Sequence, residues 1–169
     1  MEEATERLVK LYLESKGFFV RTNEKIKAGK NKYPEIDIIA IRIKNNLKDN
    51  LPNKIIGEVK SWSLGLVHFP DENCEEKHKR HKGKFKIFFE NRKEAEEQIK
   101  ERYGEGFKFY IFSRDYQKKK NANQIKAKLK EWDVEFIPLE EIAKEIIKYS
   151  GESGYSNDSE LQILRLLNK

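Results

Sequence analysis

The chain has 169 residues, a formal net charge of +6 and a pI near 9.2. That is long enough for one domain with its own core, and the basic balance favours a polyanionic partner. No stretch approaches the apolar length of a membrane span, and the acidic start Met1-Glu2-Glu3 is not a signal peptide. A single cysteine excludes an internal disulfide framework. The expectation is a cytoplasmic protein without a membrane partner.

Residues 3–16 read as an amphipathic helix, with Leu8, Leu11 and Tyr12 at helical spacing. Glu6, Val9 and Leu13 fall along a neighbouring face, so Glu6 borders the packed side. Gly17 ends the helix. Strands are predicted at 18–22, 36–43 and 54–62, joined by the polar connection 23–32 and by a turn at 45–53 rich in Asn, Asp and Pro. Short connections make these strands an antiparallel meander. Residues 63–84 lack periodicity, which in a compact domain marks a functional or mobile segment. The next helix runs to Tyr103, starting either near Phe85 or at the capping-box-like pair Asn91 and Glu94. Gly104 and Gly106 stop it.

Residues 107–113 alternate as a fourth strand, 119–132 form a basic helix, 134–137 a fifth strand and 139–149 a helix. Strand, helix, strand implies a parallel crossover. Residues 151–157 read as a Ser/Gly-rich linker, and 159–167 as a short helix whose Leu161, Leu164 and Leu167 need a partner surface. The expected fold is α/β: a mixed central sheet of about five strands flanked by helices, with a C-terminal helical addition. Residues 1–150 form the domain, and 151–169 the linker and last helix.

The chemistry concentrates in the second and third strands. Asp37 sits inside Ile36-Asp37-Ile38-Ile39-Ala40-Ile41, and Glu58-Val59-Lys60 follows Ile55-Ile56-Gly57. Ionised side chains in buried strands are costly unless something pairs or ligates them. Glu-x-Lys also occurs at Glu14-Ser15-Lys16 and Glu75-Glu76-Lys77, but only the middle copy lies on a strand with an Asp-bearing strand upstream. Period-two geometry points Glu58 and Lys60 to one face. Two carboxylates and a lysine so placed suggest a site for a hard divalent cation and a phosphate.

Tyr33-Pro34-Glu35-Ile36-Asp37 followed by Glu58-Val59-Lys60 resembles the PD-(D/E)xK nuclease superfamily. Thr5-Glu6-Arg7-Leu8-Val9-Lys10, leading through Lys16-Gly17-Phe18-Phe19-Val20-Arg21, is similar to archaeal Holliday junction resolvases. The form Glu35-Ile36-Asp37-Ile38-Ile39-Ala40 is also similar to a small resolvase-like bacterial family. The resemblance covers residues 4–62 well and the rest by element order. Pro34 stands three positions before Asp37, and Ile36 directly precedes it. The resemblance implies a restriction-endonuclease-like core and a metal-dependent DNA endonuclease, structure-specific or of a repair or restriction type.

The resemblance also implies roles. Asp37 and Glu58, with the backbone carbonyl of Val59, would hold Mg²⁺ or Mn²⁺, and Glu6 would act indirectly from the helix. Lys60 would stabilise the attacking hydroxide and the charge developing on phosphorus. Glu35 is either a substitute carboxylate or a rim residue. Related nucleases carry a Gln and a Tyr on the helix after the lysine strand. Gln98 and Tyr103 here are five apart rather than four. Resolvases cut symmetrically, so a homodimer on DNA, branched DNA included, is the implied assembly.

Lys77–Lys86 holds six Lys or Arg and no acid, and Arg114–Lys130 carries a run of Lys and Arg against Asp115. Beside a metal site these read as phosphate-backbone contacts: Lys79, Arg80, Lys82 and Lys84 in the loop, and Lys118, Lys119 and Lys120 at the basic helix. Cys74-x₃-His78-x₂-His81, with distant His68, has spacing for zinc, but a closed structural site wants a second tight pair. The segment reads instead as a basic DNA-facing loop. Two other functions compete: a non-catalytic nucleic-acid-binding protein that keeps the fold, and a subunit of a larger complex. Clustered acids where phosphate should sit favour the nuclease.

Overall fold

A computed structural model describes residues 4–27, 35–43, 49–60, 92–114 and 123–152, apart from 124, 125 and 128. Side chains are described as far as 149. Helix α1 spans Ala4–Ser15 and strand β1 Phe19–Lys25. Strands β2 (Glu35–Ile41) and β3 (Lys54–Lys60) follow. Helix α2 is Arg92–Tyr103, β4 Lys108–Ser113, β5 Val134–Pro138 and α3 Leu139–Glu152. Residues 129–131, just before β5, are helical.

The five strands form one mixed sheet in sequence order. β1, β2 and β3 pair antiparallel, as short connections require, and β4 and β5 join in parallel. Each face of the sheet has its own core. On one, Val9, Tyr12 and Leu13 of α1 and Ile142 and Ile146 of α3 cover Ile38, Ala40, Ile55 and Phe112. On the other, Ala95 and Ile99 of α2 pack with Leu129 on Ile39, Ile56, Phe109 and Ile111. Trp132 is half-buried against this second core. The fold class is thus α/β, a mixed sheet of five strands between helical layers.

Three details depart from the sequence expectation. The buried face of α1 centres on Val9, Tyr12 and Leu13, with Leu8 and Leu11 at its margin. β1 continues past Thr22 to Lys25, where a polar connection was expected, because Glu24 and Lys25 still pair with Ile36 and Glu35. α3 runs to Glu152, through Gly151 and past the expected domain boundary. The expected linker beyond it and the helix at 159–167 lie outside the described residues.

The β2–β3 turn is fastened by Arg42. Its guanidinium donates to both carboxylate oxygens of Asp49 at 2.8 and 2.9 Å and stacks over Phe18. The bidentate pair fixes where β3 begins, and so the register that brings Glu58 beside β2. Gly57 lets the strands close: a Cβ there would lie 2.6 Å from Phe112 Cε2 and 3.0 Å from Ile38 Cβ.

Candidate active site

Register pairs between β2 and β3 run from Ile41↔Lys54 to Ile38↔Gly57, so the next residues on each strand are Asp37 and Glu58. There the side chain of Asp37 takes over from the backbone, and Val59 N–H donates to Asp37 Oδ2 at 2.8 Å. Lys60 Nζ lies 2.5 Å from Glu58 Oε1 and 3.4 Å from Asp37 Oδ2. The two carboxylates therefore converge on one ammonium. The side chains of Asp37, Glu58 and Lys60 keep only 15, 7 and 16 % of their exposure. An unpaired charge would be prohibitive at such depth.

Glu6 approaches from the first turn of α1. It sits one turn before Val9, the residue that anchors the helix to the sheet. Asn23 Nδ2 donates to Glu6 Oε2 at 3.3 Å. Asp37 and Glu58 meet at Lys60, while Glu6 is held by Asn23 on the helix side. Burial pushes the Glu58 carboxyl up to about 8; Asp37 and Glu6 add to the rise, and Lys60 opposes it. Burial pulls Lys60 down, but Glu58 and Asp37 outweigh it and hold the ammonium above its ordinary value. Both shifts favour the protonated form, as an excess of negative charge in a dry site requires.

Divalent-cation chemistry suits these donors. Glu58 Oε2 is buried with no hydrogen-bond partner, and its oxygen is a hard ligand. Among the described residues no group of three or more His, Cys, Asp or Glu is spaced to hold a metal ion. Mg²⁺, however, is commonly held by one or two carboxylates with water and phosphate completing the shell. The two carboxylates Asp37 and Glu58 fit that pattern.

The other expected residues fall elsewhere. Glu35 is exposed and pairs with Lys25 at 3.5 Å, a rim position. Gln98 faces the backbone of Lys27, donating to its carbonyl at 2.6 Å and accepting from its N–H at 2.9 Å. Tyr103 accepts from Arg21 at 2.8 Å and lies 3.4 Å from Glu24, which also takes Arg102 at 2.6 Å. Gln98 and Tyr103 thereby tie α2 to the far end of β1. Lys79, Arg80, Lys82, Lys84, Lys118, Lys119 and Lys120 lie outside the described residues, as do His68, Cys74, His78 and His81.

Two neighbours of the site were not foreseen. Asn23 was expected in a connection, and the only signal for it was an amide residue ending a strand segment. Ser113, the register partner of Lys60, is fully buried and its Oγ has no hydrogen-bond partner. Nothing in a β-like run ending in serine marks it. The chain matches no family model, no curated protein and no solved structure.

Proposed function

We propose that this protein is a divalent-cation-dependent DNA endonuclease of the PD-(D/E)xK type, with a restriction-endonuclease-like core and a pattern closest to Holliday junction resolvases. The observation that carries the reading is the meeting of Asp37 and Glu58 at Lys60, with a buried, unsatisfied oxygen on Glu58. A buried carboxylate costs free energy; Lys60 offsets part of that cost here, and the partnerless Glu58 oxygen leaves a part that a cation would recover. The strand order, with an antiparallel β1–β2–β3 unit joined to parallel β4 and β5, supports the core assignment.

Asp37 and Glu58 would hold Mg²⁺ or Mn²⁺ with the Val59 carbonyl. When bound, such a cation supplies Lewis acidity at a phosphoryl oxygen and acidifies water. The residues do the rest. Asp37 is fixed by Val59 N–H, so its free oxygen is aimed without freedom to turn away. Lys60, whose ammonium is paired with both carboxylates, would stabilise the attacking hydroxide and the charge developing on phosphorus. Glu6 adds negative potential, which raises the affinity for cations and orders water on the helix side. Substrate DNA is bound by the basic segments, a homodimer supplies two cuts, and the cytoplasm, with its reducing poise, suits the lone cysteine. Among the described residues no helix is long and apolar enough to cross a membrane.

The test is a gel assay on labelled four-way junction, flap, single strand and duplex DNA with Mg²⁺, Mn²⁺ or EDTA. Cleavage that needs a cation and is lost in Asp37→Asn supports the reading. Cleavage that persists in EDTA sinks it. Preference for the junction, with a dimer by light scattering, narrows the reading to a resolvase. A monomer with and without DNA removes the resolvase and leaves the nuclease.

A further inference from the structure

Two non-glycine residues have a left-handed backbone, Asn23 with φ 56° and Asp133 with φ 52°. Asp133 lies in the turn before β5, where such a conformation is ordinary. Asn23 lies inside β1, with Thr22↔Ile38 and Glu24↔Ile36 paired on either side. A strand interior gives no local reason for positive φ, and every residue except glycine is strained by it; asparagine is among the least strained. Strain of this kind persists only where the surroundings impose it, and it gathers at functional sites.

The register supplies the reason. The pairs flanking Asn23 place it directly across from Asp37. The left-handed turn at that point accompanies a half-buried side chain whose Nδ2 donates to Glu6 Oε2. The buried apolar anchors of α1, Val9, Tyr12 and Leu13, are all C-terminal to Glu6. The first turn of the helix therefore gains from a tether of its own if its carboxylate is to stay near the other two. Asn23 thus links the Glu6 carboxylate to the point of the sheet that carries Asp37.

We infer that Asn23 is a positioning residue that holds the Glu6 carboxylate beside Asp37 and Glu58, and that its strained backbone is the cost of aiming the amide. The inference rests on the nuclease reading for the reaction, but on the cation site alone for its binding test. Asn23→Gly separates the two roles of the residue. Glycine accepts φ 56° freely and lacks the amide.

The experiment measures Mn²⁺ affinity by calorimetry, thermal midpoint and single-turnover cleavage for the wild type, Asn23→Gly, Asn23→Asp, Glu6→Gln and the Asn23→Gly/Glu6→Gln pair. Asn23→Gly should keep or raise the midpoint and weaken Mn²⁺ about tenfold, the size expected for loss of an outer-shell partner. Glu6→Gln should do the same, and the double variant should be no worse than Glu6→Gln alone. Asn23→Asp keeps an αL-tolerant residue and repels Glu6, so it should move Glu6 away and weaken Mn²⁺ as well. Wild-type Mn²⁺ affinity in Asn23→Gly, or full additivity with Glu6→Gln, overturns the positioning role. If the expected Mn²⁺ pattern is found but no DNA is cut, positioning stands and the nuclease reading falls. A wild type that binds no Mn²⁺ overturns both.

Discussion

The carboxylate of Asp37 does the work of a strand. It accepts Val59 N–H at 2.8 Å just beyond the last β2–β3 register pair. The residue is therefore both a ligand candidate and a structural acceptor, and its substitutions should divide accordingly. Asp37→Asn keeps an oxygen for Val59 and loses the charge. Asp37→Ala loses both and leaves a buried N–H unsatisfied, at about 1–3 kcal/mol. Cleavage should fall by about 10²-fold or more in each. The thermal midpoint should stay near wild type in Asn and drop by several degrees in Ala. Equal midpoints in paired melts would show that the Val59 bond contributes no stability.

Glu58 should make the metal-free protein less stable as pH rises. Burial, then Asp37 and Glu6, raise its folded value to about 8, against 4.5 for an ordinary glutamate, with Lys60 opposing. A raised pKa means that the folded state holds the proton more tightly. The associated stability is complete below about 4.5 and is lost progressively as pH climbs through about 8. In EDTA, the wild-type midpoint should fall across that window, while Glu58→Gln should hold more nearly level and exceed the wild type above pH 8. Mg²⁺ added at about pH 8 should restore several degrees to the wild type and little to Glu58→Gln. A wild-type midpoint that rises with pH in EDTA argues against a protonated Glu58.

Much of this site was legible in the sequence because its signal is a violation of ordinary patterning. Asp37 among isoleucines and Glu58 after Ile55-Ile56-Gly57 break the rule that strand interiors are apolar, and period two does the rest. Element order was legible for the opposite reason, ordinary patterning: the apolar residues at Val9–Leu13 and Phe109–Phe112 reflect one buried face or two. Asn23 was not legible, since its role depends on a register partner fourteen residues away and on a backbone angle. Gln98 shows the opposite failure. Its side chain looks like a substrate donor by analogy, yet it meets Lys27 through two backbone bonds, a contact between segments that spacing on α2 cannot reveal.

Gly57 has no room for a side chain on the strand that carries the site. An added methyl would meet Phe112 Cε2 at 2.6 Å and Ile38 Cβ at 3.0 Å, both fully buried in the core. Gly57→Ala should cost about 1–3 kcal/mol through overpacking. Because Glu58 is the next residue, a strand displaced by a few tenths of an ångström should also lower cleavage. Phe112→Leu, placed in the Gly57→Ala background, removes the ring edge and should recover part of both losses. Recovery of neither in melts and rate assays would move the cause from Phe112 to the backbone.

The basic segment 77–86 gives the last prediction, and its readout is salt dependence. Lys79, Arg80 and Lys82 stand in a segment with six Lys or Arg and no acid. Removing a cation that neutralises one phosphate should flatten the slope of log affinity against log salt by up to about one unit. Replacing all three by Gln should weaken junction, flap and duplex by similar factors, because phosphate contacts position a protein without reading sequence. Affinity should be measured in catalytically silent Asp37→Asn, so that binding is not confused with cutting. His78 and His81 lie in the same segment and Cys74 three residues before it, and a zinc knuckle there predicts a different pattern. In that case His78→Ala or Cys74→Ala would release one equivalent of zinc from the purified protein and disturb binding as much as the lysine replacements do. Metal content near zero in wild type, with an altered salt slope only in the lysine variant, assigns the segment to DNA. Stoichiometric zinc that disappears with either ligand candidate assigns it to structure and makes its charge secondary.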